Sequence, residues 1–123
     1  MNLFQMLENA HETYEACLLA EVKAARDLQN FKACIAEREE YLLANLEPAQ
    51  NDRQHKQMLA QAFADDDRLL HLRTCLNTAL HSQLTAEAER KAAYDWCLMV
   101  RSFVDATELQ YKDQVIMFTE TKE

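Results

Sequence analysis

Glu8-x-x-His11 is the first spacing in the chain that could do chemistry. Residues three apart share a helix face, and a Glu-x-x-His step is part of the ligand set of a di-iron centre built between helices. Such a centre needs a second motif of the same kind and two further inward carboxylates. The nearest candidate, Asp52-Arg53-Gln54-His55, falls where a helix begins rather than inside a core. His71 and His81 stand ten residues apart and need not share a face, and Asp67 with His71 is an ordinary i,i+4 pair. No metal or other cofactor is expected. Cys17, Cys34, Cys75 and Cys97 contain no CxxC pair, and each lies at an apolar helical position, Cys34 before Ile35 and Cys97 after Trp96. Reduced, buried core thiols fit this pattern better than two disulfides. A nucleophilic cysteine would need a partnered histidine and an activating environment. The adjacent Glu39 and Glu40 point apart on a helix, so they are no acid/base pair. A protein without enzymatic activity is expected.

The elements that carry these residues must be helices. The 123 residues include no glycine and one proline, Pro48, where average usage would give about nine glycines and six prolines. Turn-rich sheets depend on both residues, and a Gly-rich phosphate loop is excluded. Thirteen basic residues against 21 acidic ones give a net charge of −8, which repels a phosphate backbone and works against nucleic-acid binding. The acidity lies in residues 1–47 and 85–123, with residues 51–84 balanced. No apolar run reaches the roughly 18 residues of a membrane span. Met1 to Ala10 lacks the basic flank and apolar core of a signal peptide, so the expected location is cytoplasmic.

Leu7, Ala10, Tyr14, Cys17, Ala24, Leu28, Phe31, Ile35 and Leu42 recur at alternating three- and four-residue steps, with Glu21 and Arg38 as polar interruptions. This spacing predicts one amphipathic helix over about 3–46, close to 66 Å long at about 1.5 Å per residue. Pro48 ends it. Asn51 or Asp52 can cap a second helix, with Gln54 in a capping-box arrangement. The second helix is expected over 52–82, with the Asp65-Asp66-Asp67 run on a solvated face. A break at Ser82 to Thr85 leads to a third helix over 86–118, packing Ala93, Trp96, Cys97, Val100, Phe103, Val104, Tyr111, Val115 and Phe118. Without Gly or Pro near 82–85, one continuous helix from 52 to about 118 is the alternative. The predicted fold is a single all-α domain over 1–123, an antiparallel bundle of three (or four) long helices. One short partner does not cover a 66 Å helix, so either two helices lie along it or a second copy of the chain does, forming a homodimer. Trp96 is expected against the first helix, where truncation to alanine removes roughly 3–5 kcal/mol. Phe4, Tyr41, Leu43, Phe63, Leu70 and Met99 fall off the main stripes and are either extra core or a groove for a partner helix.

Three stretches together resemble the FliT-type flagellar export chaperones: Arg26 to Leu46, an Arg-led segment after an acidic, apolar one; Ala64 to Leu70, an acidic run followed by leucines; and Arg90-Lys91-Ala92-Ala93-Tyr94. The resemblance covers residues 20 to about 95. The family's tails are usually loose and often contain Gly, whereas residues 96–118 are apolar and helical in pattern. The resemblance implies a helical chaperone that holds a flagellar filament-cap or related substrate and delivers it to the export apparatus, with Tyr94 in the region that contacts the export gate. Arg90 and Tyr94 are four apart on one helix face, and Arg and Tyr are enriched at interface hot spots. Arg90, Lys91 and Tyr94 are therefore the expected partner-binding residues. The competing expectation is an acidic inhibitor or immunity-type protein that occupies a basic site on a nuclease or toxin.

Overall fold

The computed structural model describes the backbone of residues 2–121 and the side chains of residues 2–110. The described chain is all helical, with three helices: α1 (Leu3–Ala44), α2 (Asp52–Asp65) and α3 (Asp67–Thr121). The side chains of Tyr111, Val115 and Phe118 lie outside the described residues. None of the described residues has positive φ, so the chain turns without the left-handed conformation that favours glycine.

Short polar side chains set the helix ends. Asn2 Oδ1 accepts from the Gln5 amide at 2.8 Å, and Gln5 Oε1 accepts from the Asn2 amide at 3.2 Å. This reciprocal box satisfies two amides that the first turn of α1 would leave open. At the other end Asn45 donates to the Tyr41 carbonyl from its amide and from Nδ2, while Leu46 donates to the tighter Leu43 carbonyl. The helix therefore stops at Ala44, two residues before the expected Leu46. Asn51 caps α2, its Oδ1 accepting from the Gln54 amide at 2.8 Å, whereas Gln54 Oε1 reaches back one residue further than expected, to the Gln50 amide.

The second boundary differs from the sequence expectation. The helix breaks at Asp66, not at Ser82–Thr85, and α3 runs unbroken through residues 82–85. Asp66 alone leaves the helical region (φ −85°, ψ 106°). Its carboxylate explains why. Oδ2 accepts from the Leu69 amide at 2.8 Å, capping α3, and the two oxygens together hold the Arg38 guanidinium at 2.9 and 2.6 Å. Asp65 and Asp67 are exposed, but the middle residue of the acidic run does not face water. The Arg38 bonds, helped by the Leu69 amide, hold the Asp66 carboxyl at about 2, below its usual 3.8, against the opposing effect of burial. The lowered value means that stabilisation is in full force above about pH 4 and is lost as the pH falls through about 2. Asp66→Asn keeps a capping oxygen but not the paired charge. We expect the variant to be less stable at pH 7 and to lose less stability than the wild type between pH 4 and 2, measured by urea titration at each pH. Parallel acid limbs would show that the pair contributes nothing.

Along α1 every position in the series 3, 7, 10, 14 and onward to 42, at alternating steps of four and three, is buried or partly buried. The same holds on α3 for the series 69, 72, 76, 79 and onward to 104. This is heptad spacing. It passes through Gln83, Ala86 and Arg90 without a change of phase, so nothing in the packing calls for a break at 82–85.

The chain forms two compact units. The unit Val22–Thr85 buries Ala24, Leu28, Leu69 and Ala79, with Arg73 on Glu39 at 3.3 Å and its guanidinium 6.0 Å from the Phe63 ring. The unit Met1–Glu21 with Ala86–Glu123 buries Ala10, Ala86, Ala93, Cys97, Val100 and Val104. Here Met6, Leu7 and Tyr14 pack around Ala10, Cys97 and Val100. Across the two helices of this unit Ala10 also meets Cys97 by a hydrogen bond, Tyr14 meets Tyr94 and Glu21 meets Arg90.

Two expectations about this core are corrected. Trp96 and Phe103 are 44% and 63% exposed. They stand one residue before the buried Cys97 and Val104, hence about 100° round the helix from them, and the cost of a core truncation does not apply to Trp96. The cysteines are not all core thiols either: only Cys97 is buried, Cys17 and Cys75 are partly buried, and Cys34 is exposed. Buried Cys97 donates its thiol to the Ala10 carbonyl at 3.0 Å, and burial raises its pKa.

Candidate functional site

Each polar interruption of the α1 stripe meets an opposite charge. Arg38 is held by Asp66, as described, and lies 4.7 Å from the centre of the Tyr41 ring. Glu21 accepts from Arg90 Nε at 2.6 Å, with both side chains about a quarter exposed. That carboxylate raises the Arg90 pKa, with burial opposing it. A charged pair inside an apolar seam is best known as a register device: sliding the helices leaves both charges without partners.

Pairing with Glu21 turns Arg90 into the seam, while its sequence neighbours face outward. Lys91 is exposed and bonds to Glu87, one turn back at 3.1 Å. Tyr94 is 46% exposed, with its ring 5.6 Å from that of Tyr14 at 50°. This tilted arrangement is favourable for aromatic rings. Leu18 lies one turn beyond Tyr14 on α1 and Leu98 one turn beyond Tyr94 on α3, both exposed. The expected binding residues thus divide: Tyr94 and Lys91 stand on an accessible face with Tyr14, Leu18 and Leu98, and Arg90 anchors the wall behind them. Tyr14 was legible only as a stripe residue; its ring contact depends on the other helix.

The off-stripe residues are mostly surface. Phe4, Tyr41, Leu43, Leu70 and Met99 are exposed, and Phe63 is partly buried. In the unit Val22–Thr85 a half-open cavity of about 280 Å³ is lined by Asp27, Phe31, Thr74, Cys75, Thr78 and their neighbours. The Thr74 and Thr78 hydroxyls bond to carbonyls of their own helix, and Cys75 Sγ lies 3.6 Å from His71 Nε2. Glu8, His11, Asp52 and His55 lie outside the core, and none of them is buried. Among the described residues no three His, Cys, Asp or Glu side chains gather as a metal site, and no helix is long and apolar enough to cross a membrane.

A scan of protein-family models finds no match, and neither the curated proteins nor the solved structures contain a match to the chain.

Proposed function

We propose that the chain is a helical protein-binding module, and in its most concrete form a cytoplasmic flagellar or type III export chaperone that holds a secretion substrate. The observation that carries this reading is the accessible face formed by Tyr14, Leu18, Tyr94 and Leu98. Apolar and aromatic residues on a rigid helical wall suit the apolar face of a partner helix. Tyrosine offers a large, rigid contact at small entropic cost. The finer architecture belongs to the same proposal: α1 and α3 run antiparallel in a bundle. Supporting it, rising residue numbers on α1 (10, 14, 21) meet falling numbers on α3 (97, 94, 90).

Titration with a flagellar filament-cap protein, the substrate that the resemblance implies, tests the function. Tyr94→Ala should weaken binding about 30-fold or more, close to 2 kcal/mol, while changing folding stability by less than about 1 kcal/mol. Unchanged affinity, or a variant that melts far below the wild type, removes the residue-level support. No binding by the wild type, together with tight binding to a basic nuclease or toxin, would favour the inhibitor reading.

A further inference from the structure

We propose that the cavity between α1 and α3 in the unit Val22–Thr85 binds a small organic ammonium, its charged head on the Asp27 carboxylate and its apolar body against Phe31. The cavity holds about 280 Å³, the room of about nine waters at ~30 Å³ each. It exists because the side chains that α3 contributes to its wall are short: Thr74, Cys75, Thr78 and Ser82 stand where longer residues would close the gap. From α1, Asp27 and Phe31 are four residues apart and share a face. Asp27 is partly buried and is the charged residue of the lining. Its carboxylate makes no ion pair or hydrogen bond among the described residues. Lys23, one turn back, stands in the less favourable order for a helical ion pair, since an acid does better N-terminal to its lysine.

Two features select the class of ligand. The first is hydrogen-bond polarity. Thr74 Oγ1 donates to the Leu70 carbonyl at 3.0 Å, and Thr78 Oγ1 to the Thr74 carbonyl at 3.2 Å. A hydroxyl has one proton, so both offer a guest only lone pairs, as the Asp27 carboxylate does. Among the lining residues Ser82 alone keeps a hydroxyl proton to give. A guest that suits this wall is a donor, and an ammonium brings positive charge together with its N–H groups. The second feature is the apolar remainder of the wall, with Phe31, Ala24 and Ala79. Such a wall cannot replace the water shell of an inorganic cation. Nor do three His, Cys, Asp or Glu side chains gather among the described residues to ligate a metal. A cationic head on an apolar body meets both parts, and the Phe31 ring can take either the charge or an aromatic body on its face. The net charge of −8 favours a cation and repels an anion. Tyr94 belongs to the other unit, so the cavity stands whether or not the Tyr94 face binds a protein.

The probe is 2-phenylethylamine, protonated at neutral pH, with 2-phenylethanol as its uncharged counterpart and phenylacetate as the anionic one. Titration of the full chain, followed by amide nuclear magnetic resonance, should give saturable shifts at Phe31, Cys75 and Thr78 with a dissociation constant below about 1 mM. The alcohol should bind about 10-fold more weakly or worse, and phenylacetate should not bind. Asp27→Asn should weaken the amine about 10-fold, to the level of the alcohol, with an unchanged helical circular dichroism spectrum. Glu40→Gln, at an exposed position near the end of α1, removes the same charge and should leave the affinity unchanged. A wild type without saturable shifts up to about 10 mM amine overturns the proposal. So does equal affinity for amine and alcohol, or an equal loss in Asp27→Asn and Glu40→Gln. If Asp27→Asn loses helicity, the ratio of amine to alcohol affinity in the wild type still decides.

Discussion

Leu69→Ala should destabilise the protein by about 2–5 kcal/mol, the range for fully buried leucines whose cavity cannot collapse. Leu69 is 0% exposed, and it sits three residues after the one-residue break at Asp66, its amide bound to the Asp66 carboxylate. The side chain therefore fills the core at the point where α3 begins. Few others share that role: among the described residues the largest fully buried side chains are Leu69 and Val100. Urea denaturation of wild type and variant measures the difference. A loss under about 1 kcal/mol would mean that Leu69 does not carry the packing its burial implies.

Enlarging a buried alanine should be nearly as harmful as emptying a leucine site. Ala10 is 1% exposed, its carbonyl accepts the Cys97 thiol at 3.0 Å, and it touches the Val100 cluster. Ala10→Leu has no room to place the added carbons and is expected to cost about 1–3 kcal/mol. The same substitution at Ala36, exposed on α1, should stay within about 0.5 kcal/mol. Equal effects at the two positions would contradict the close approach of α1 and α3 at Ala10.

These positions show which parts of the structure were legible in the sequence. The α1 stripe was, because a strict three/four spacing has one helical interpretation, and Glu21 and Arg38 stood out against it. Their partners were not. Arg90 read as an interface residue and Asp66 as part of a solvated run, since pairing across 69 and 28 residues leaves no local trace. On α3 apolar residues occupy a sector wider than one neighbouring helix covers, and hydrophobicity ranks Trp96 and Phe103 above Ala93 and Ala86. Burial follows the opposite order: where two backbones approach closely, small side chains fit between them and large ones are turned out. The Asp66 break was missed because its signal, a carboxylate that caps one helix while gripping an arginine on another, depends on α1 being in place. Of the candidate site, Tyr94 and Lys91 were legible as surface positions; the Tyr14 contact was not.

The pairing pattern also sets an order for the nascent chain. The ion pairs in Val22–Thr85 close over 28 and 34 residues, whereas Glu21–Arg90 and Ala10–Cys97 close over 69 and 87. Each doubling of a flexible loop adds about 0.6 kcal/mol to its closure cost. The central contacts are thus both easier to form and complete as soon as Thr85 has left the ribosome. The first half of α1, from Leu7 to Glu21, must wait with its apolar stripe uncovered until Arg90 and Cys97 emerge. At about 5–20 residues per second that interval lasts seconds, and during it the growing protein exposes an apolar stripe that has no partner yet.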